Sequence, residues 1–336
     1  MAMGRNEVVI TLAACALAAW VAGAALGWNA ASGGQGEAAS PEAVHRSAVC
    51  AVSPEAVSPP PASRRRTPAP APPVSHPLLG VVDDAQILRD LETQANRLIE
   101  DNLTVPAADL IAELGRTQCQ VELAKPAAKT LPCGELYERC KKGVLVVAGM
   151  FKCEKCNRMH PRPASGFVIS ASGVAVTNHH VVNNAKNVTL VAMTSDGVVH
   201  PVKEVLAASP VTDVAIVQLE GTGFTPLPVV AQVPVGSDIF VLSHPDGCFF
   251  TLTCGIVSRY GTIMRERQRV PMLQITAQYA RGSSGGPVLS TAGEVVGMVS
   301  STVSIYYNED HGKQENLQMV LNRCVPAAHI LDLIKP

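Results

Sequence analysis

Aromatic side chains are scarce: Phe, Tyr and Trp together make up 4% of the 336 residues. A core must therefore be filled by Val, Ile, Leu and Ala, which the 47% hydrophobic content supplies. That composition excludes an extended disordered protein and favours strands packed on strands. An excess of either charge is missing too, since 27 Lys and Arg stand against 28 Asp and Glu, for a formal charge of −1. With no electrostatic footprint for nucleic acid, no nucleic-acid partner is expected.

Between Val8 and Trp28 charge is absent altogether. The run VVITLAACALAAWVAGAALGW is long enough to cross a bilayer and longer than a usual signal-peptide core. Residues 1–30 are therefore expected to be a transmembrane anchor, with a cleaved secretory signal as the alternative. Either sends the rest of the chain across the membrane. The expected location is the cell membrane, single-pass, with the folded part outside the cytoplasm, or secretion of that part; in a bacterium this means the periplasm. Ten cysteines suit an exported chain able to form disulfides.

Residues 31–80 lack apolar periodicity. Stretches such as SPPPASRRRTPAPAPP read as a disordered Pro/Ala-rich linker. Residues 81–130 form a helical segment: after Asp83 and Asp84, the residues Leu88, Leu91, Ala95 and Leu98 recur three and four apart, and a second helix follows Pro106. From residue 131 to 336 the chain turns to short Val- and Ile-rich runs broken by Gly, Pro, Asn and Asp. GVLVVAGM, GVAVTN, NVTLVAM, DVAIVQLE, DIFVLS, CGIVS, MLQITA, GPVLS and EVVGMVS each suit a strand. The pattern predicts a mostly β fold, an antiparallel barrel or a pair of barrels, with VPAAHILDLI as a C-terminal helix.

Serine catalysis needs a base to take the hydroxyl proton, an acid to orient that base, and donors for the developing oxyanion. TNHHVV places two histidines at the end of a strand, TDVAIVQLE places Asp213 at the start of another, and RGSSGG places Ser284 among glycines that expose backbone N–H groups. The chain order His, Asp, Ser is that of the chymotrypsin-type double barrel, not of the α/β-hydrolases or subtilisins.

GFVISASGVAVTNHHVV, SPVTDVAIVQLE and ITAQYARGSSGGPVLS together resemble the three catalytic blocks of the trypsin-like serine peptidases, most of all the HtrA/Deg group. SHPDGCFFTLTCGIVS resembles a strand-loop-strand stretch of the same group. The resemblance covers residues 131–335 and implies two antiparallel six-stranded β-barrels of the chymotrypsin type. It implies His180 as general base, Asp213 as its orienting acid and Ser284 as nucleophile, with the N–H groups of Gly282 and Ser284 as oxyanion hole. His179 reads as a solvent-facing neighbour, and Ser283 stands where relatives carry Asn or Asp. No Ile-Val-Gly-Gly start precedes the domain, so activation by a cleaved N-terminus is not expected. No PDZ domain is expected after Pro336.

In this fold the pocket for the residue before the cut is lined by the segment ahead of the nucleophile and by a later strand. Here these are Gln278, Tyr279 and Ala280, and the Gly297–Ser300 run with Met298. None is acidic, so a small or medium apolar residue is expected there. The cysteines depart from the family pattern. Cys133 and Cys140 straddle a short helix, and Cys153 and Cys156 form a CxxC with His160 four residues on. Disulfides are preferred for these four, with a structural zinc site as the alternative. Cys248, Cys254 and Cys324 are expected to be packed or bridged.

The expectation is thus a membrane-tethered serine endopeptidase that cleaves exposed or unfolded polypeptides through an acyl-enzyme. No cofactor is required for catalysis, its partners are polypeptide substrates and the membrane, and it can be a homo-oligomer. The alternative is a catalytically inactive double barrel that binds peptides or serves as a scaffold.

Overall fold

The computed structural model describes residues 80–336, apart from 127–128, 157, 311–312 and 336. The expected anchor and all of the linker before residue 80 lie outside the described residues. Among the described residues no helix is long and apolar enough to cross a membrane.

Helix α1 (Asp84–Glu100) starts where the Asp83 carboxylate accepts a hydrogen bond from the Gln86 N–H at 2.9 Å, satisfying a donor that the first turn leaves free. Its periodic apolar residues divide. Leu91 and Ala95 are fully buried, Leu98 is partly so, and Leu88 stays 40% exposed. Helix α2 (Ala107–Ala112) buries Ala107 and Leu110. The two-residue strand β1 (Cys119–Gln120) and helix α3 (Cys133–Lys141) precede the first barrel.

That barrel comprises β2 (Val144–Lys152), β3 (Met159–Val168), β4 (Val174–Thr177), β5 (Thr189–Met193), β6 (Val199–Ser209) and β7 (Val214–Leu219), with the one-turn helix α4 (His179–Val182) after β4. The ring closes in the order β2-β3-β4-β7-β6-β5. The second barrel comprises β8 (Asp238–Ser243), β9 (Thr251–Arg265), β10 (Gln268–Ile275), β11 (Pro287–Ser290), β12 (Val295–Asp310) and β13 (Lys313–Pro326), closing as β10-β13-β12-β11-β8-β9. Pairing within both rings is antiparallel.

The start of β2 shows why its sequence is continuously apolar rather than alternating. Val144, Val146, Ala148 and Met150 belong to a cluster shared with Leu91 of α1, Leu136 of α3 and Leu242 and Val325 of the second barrel. Leu145 and Val147, on the other face, join a cluster with Ala107 and Leu110 of α2. Both faces are covered, so neither can be polar without leaving an unpaired group in the interior.

The expected C-terminal helix is shorter than its sequence suggests. Val325 and Pro326 end β13, helix α5 keeps only Ala328–Leu331, and β14 (Ile334–Lys335) then pairs in parallel with β1. Cys119 faces Ile334 in that register, so the chain before the first barrel is tied to the end of the second.

Candidate active site

The three candidate catalytic residues sit on turns at strand ends. His179 and His180 open α4 after β4, Asp213 lies in the turn between β6 and β7, and Ser284 lies in the glycine-rich turn ahead of β11. His180 Nδ1 is 3.0 Å from both carboxylate oxygens of Asp213, and the His180 backbone N–H donates to Asp213 Oδ1 at 3.2 Å. A carboxylate only accepts, so Nδ1 carries the proton and Nε2 is left with its lone pair. The imidazole is half exposed while Asp213 is buried.

Asp213 has φ 61°, a backbone region few residues other than glycine adopt but which aspartate tolerates. Its neighbours hold it there. The Asp213 carbonyl accepts from Asn178 Nδ2 at 3.0 Å and from the His179 N–H at 3.3 Å. Its Oδ2 accepts from the hydroxyl of Ser300 on β12 at 2.9 Å. Burial pushes the Asp213 carboxyl pKa up, but the hydrogen bonds and charge of His180, helped by Ser300, outweigh it and hold the group below the usual carboxylate range. His179 is half-buried rather than solvent-facing, and burial lowers its pKa despite the charge of Asp213.

Ser284 and His180 line one cleft of about 740 Å³, together with Gly282, Phe249, Phe151, Ala164 and Leu88. Among the described residues no hydrogen bond joins the Ser284 hydroxyl to His180. The backbone around Ser284 is fixed from both barrels. Its carbonyl accepts from the Ser165 N–H at 2.8 Å, and the Gly282 carbonyl accepts from Ser165 Oγ at 2.9 Å. The Arg281 carbonyl accepts from the Asp246 N–H at 2.6 Å and the Ser283 carbonyl from the Gly286 N–H at 2.9 Å. In a trans peptide the N–H points opposite the carbonyl, so these bonds turn the N–H groups of Gly282 and Ser284 away from Asp246 and Gly286. Neither N–H has a partner among the described residues. Glycine is needed at 282, where φ is 94° and a Cβ would meet the His244 carbonyl. The buried Ser283 hydroxyl accepts from Ser243 Oγ at 3.0 Å.

The residues expected to line the substrate pocket do not border this cleft. Gln278, Tyr279, Ala280 and Met298 are all absent from the cleft lining. Met298 is fully buried in the core, because its strand neighbours Pro287 and Val325 are both covered. Tyr279 is fastened through its hydroxyl, whose single proton is shared between the carbonyls of Ser301 and Arg323, each at 2.9 Å. That side of the cleft is made instead by Asp246, Gly247 and Phe249 of the segment after β8 and by Arg281. Ser300, read from sequence only as part of a pocket strand, serves Asp213.

The cysteine expectations also change. All eight described cysteines are free thiols, so the expected bridges of Cys133 and Cys140 with Cys153 and Cys156 are not formed. The four do not make one ligand set either. Cys140 is buried on α3, its Sγ 3.7 Å from the Gly293 carbonyl, and burial pushes its thiol up to about 11. Cys153 and Cys156 cluster instead with His160. Cys248 and Cys254 are exposed rather than packed, whereas Cys324 is buried and its thiol is pushed up to about 12.

A second histidine, His244, lies at the junction of the barrels and carries no signal in the sequence. It is fully buried, with Nε2 donating to the Leu145 carbonyl at 3.0 Å and Nδ1 accepting from the Phe250 N–H at 3.0 Å. Burial drives its pKa down to about 4, so it is neutral at physiological pH.

Residues 164–298 match the family model described as the trypsin-like peptidase domain. A DegP-like protein of Ectopseudomonas mendocina, named as a periplasmic serine endoprotease, is 36% identical over 141 residues, covering 40% of this chain and 28% of its own. A protein of a Synechocystis species that carries the name serine protease HhoA is 35% identical over 145 residues, covering 40% of this chain and 35% of its own. Among solved structures, an HtrA-type protease with a decapeptide aligns with a TM-score of 0.47 and 16% identity, over 60% of this chain and 65% of that one. The chain spans about a third of the length of the curated relatives it matches. The residues matched by the family model include His180, Asp213 and Ser284, and the chain is similar to proteins named as DegP-like and HhoA serine proteases.

Proposed function

From a trypsin-like peptidase domain with DegP-like relatives, we propose that this protein is a serine endopeptidase that cleaves exposed or unfolded polypeptides outside the cytoplasm, tethered by its N-terminal apolar segment. The observation that carries the reading is the His180–Asp213 pair, closed by two 3.0 Å contacts and opening onto the cleft that holds Ser284. In the proposed reaction Ser284 Oγ attacks the scissile carbonyl as its proton passes to His180 Nε2. Asp213 stabilises the imidazolium that forms, and the N–H groups of Gly282 and Ser284 receive the oxyanion. The imidazolium then gives its proton to the leaving amine, the peptide bond breaks, and an acyl-enzyme remains. A water that loses its proton to His180 attacks the ester and releases the second product, restoring Ser284. Substrate closure must bring Ser284 Oγ and His180 Nε2 into hydrogen-bond reach.

Phe249, Phe151, Ala164 and Leu88 give the cleft apolar walls, which supports an apolar side chain beside the cut. The test is labelling of the purified protein by a fluorophosphonate probe, read by intact mass. One adduct is expected on the wild type, none on Ser284→Ala, and a strongly slowed reaction on His180→Ala. No adduct on folded protein, with or without an unfolded polypeptide such as casein, would sink the reading in favour of a double barrel that binds peptides without cutting them.

A further inference from the structure

The hairpin between β2 and β3 ends in Cys153-Glu154-Lys155-Cys156 and returns through His160, and the proposed catalysis uses none of these residues. One ligand atom from each of Cys153, Cys156 and His160 lies within 4.8 Å of the other two. His160 Nε2 is 3.1 Å from Cys156 Sγ. In a tetrahedral zinc site, with arms of about 2.3 Å to sulfur and about 2.05 Å to nitrogen, neighbouring ligand atoms stand roughly 3.6–3.8 Å apart. The 3.1 Å contact lies inside that spacing, and no pair exceeds 4.8 Å.

Two further contacts set this cluster apart from a chance gathering of polar groups. His160 Nδ1 lies 3.2 Å from Glu92 Oε2 on α1. With Nδ1–H donating to that carboxylate, Nε2 keeps a lone pair, and it is Nε2 that faces the sulfur. Carboxylate to imidazole to metal is the usual way a ligand histidine is fixed in tautomer and direction. The Lys155 N–H, for its part, donates to Cys153 Sγ at 3.4 Å. The CxxC turn thus aims a backbone N–H at a sulfur, leaving that sulfur oriented as an acceptor.

We propose that Cys153, Cys156 and His160 form a zinc-type site at the tip of this hairpin, oriented by Glu92, with solvent in the fourth position. Two thiolates and an imidazole suit zinc, whereas harder cations prefer oxygen donors. Binding exchanges the two thiol protons, released to solvent, for one Zn²⁺; no oxidant or reductant takes part. The site sits where the hairpin is already clamped to α1. Asn96 Nδ2 donates to the Met159 carbonyl at 2.9 Å and the Met159 N–H donates to Asn96 Oδ1 at 3.1 Å. A bound ion would fix the hairpin tip to the helix whose first turns border the catalytic cleft.

The experiment loads the reduced, metal-free full-length protein with zinc or cobalt. Bound metal is counted by elemental analysis, and cobalt coordination is read from its thiolate charge-transfer absorption. One ion per chain is expected. The charge-transfer band should vanish in the double variant Cys153→Ser/Cys156→Ser and persist in Cys133→Ser, with wild-type circular dichroism in each. His160→Gln should weaken affinity by a hundredfold or more and Glu92→Gln by at least tenfold. Stoichiometric zinc that survives the double variant, absence of stoichiometric zinc, or a Cys153–Cys156 disulfide that persists in reductant would overturn the proposal. None of these readouts depends on peptidase activity, so a dead triad would leave the result intact.

Discussion

The two barrels have six strands each, but they are built differently. In the first no strand exceeds 11 residues, and the side chains of β4, β5 and β7 are almost entirely covered. In the second, β9, β12 and β13 run to between 14 and 16 residues and extend past the ring as hairpins, leaving Tyr307 77% and Met319 56% exposed. His180 and Asp213 belong to the covered barrel; Ser284 belongs to the other. The difference teaches that the His180–Asp213 pair is a local product of one barrel, whereas the whole candidate site depends on a seam. That seam consists of Ser165 bonded to the Ser284 turn, Ser300 bonded to Asp213, and His244 bonded to Leu145.

The sharpest way to test the pair as a local unit is Asp213→Asn. It removes the acceptor that fixes the proton on His180 Nδ1, and kcat is expected to fall about 10⁴-fold, or about 5 kcal/mol in barrier. Urea unfolding should change little by comparison, because Asn keeps the backbone bonds of the turn. A loss of kcat below tenfold would break the assignment.

The next effect falls on the seam. His244 ionises near 6.5 when unfolded and near 4 when buried, so the folded state disfavours its proton. Its contribution is fully present above pH 6.5 and is lost as pH falls towards 4, where the unfolded chain binds a proton that the folded one refuses. The loss amounts to about 3 kcal/mol. It should be measured by urea unfolding of Ser284→Ala, which cannot digest itself. His244→Gln should flatten the slope between pH 6.5 and 4 by one proton; an unchanged slope would place the acid sensitivity elsewhere.

Much of this was legible in the sequence because it rests on local chemistry. His180, Asp213 and Ser284 are marked by their strand-end positions and their glycines, and the buried strands by runs such as VLVVAGM. What was hidden depends on partners distant in the chain. Ser300 acts across 87 residues and His244 across 99. Strand β6 escaped because VHPVKEVLAAS mixes charge and proline into its alternation. Strand β13 escaped whole: its outer end KQENLQ is polar, as an exposed hairpin allows, and Val325 and Pro326 at its inner end were read into the C-terminal helix. The cleft lining differs from the expected one for a related reason. Which face of β12 a residue takes depends on its register, and Met298 takes the inner one.

Ser300 offers a subtler test of the seam. It is a positioning residue, since it reaches the reaction only through Asp213. Ser300→Ala removes a donor to the charged carboxylate, so the Asp213 pKa should rise and kcat at neutral pH should fall about tenfold, near 1.4 kcal/mol. The acid limb of the kcat–pH profile should move as well, and Ser300→Thr should restore both. A purely structural role would lower stability without moving the profile.

The smallest effect expected is on the outer hairpin, and it is the one that separates the barrels most directly. Leu317 is 55% exposed and packs in none of the buried clusters, whereas Leu190 on β5 is fully covered. Leu190→Ala should cost about 2–5 kcal/mol, through lost burial and the cavity left behind. Leu317→Ser should lie within about 0.5 kcal/mol of wild type, because the side chain gives up little covered surface. Urea midpoints at equal slope measure both. A large loss at Leu317 would mean that the hairpin is covered in solution, and the contrast drawn between the barrels would then describe a single chain rather than the working protein.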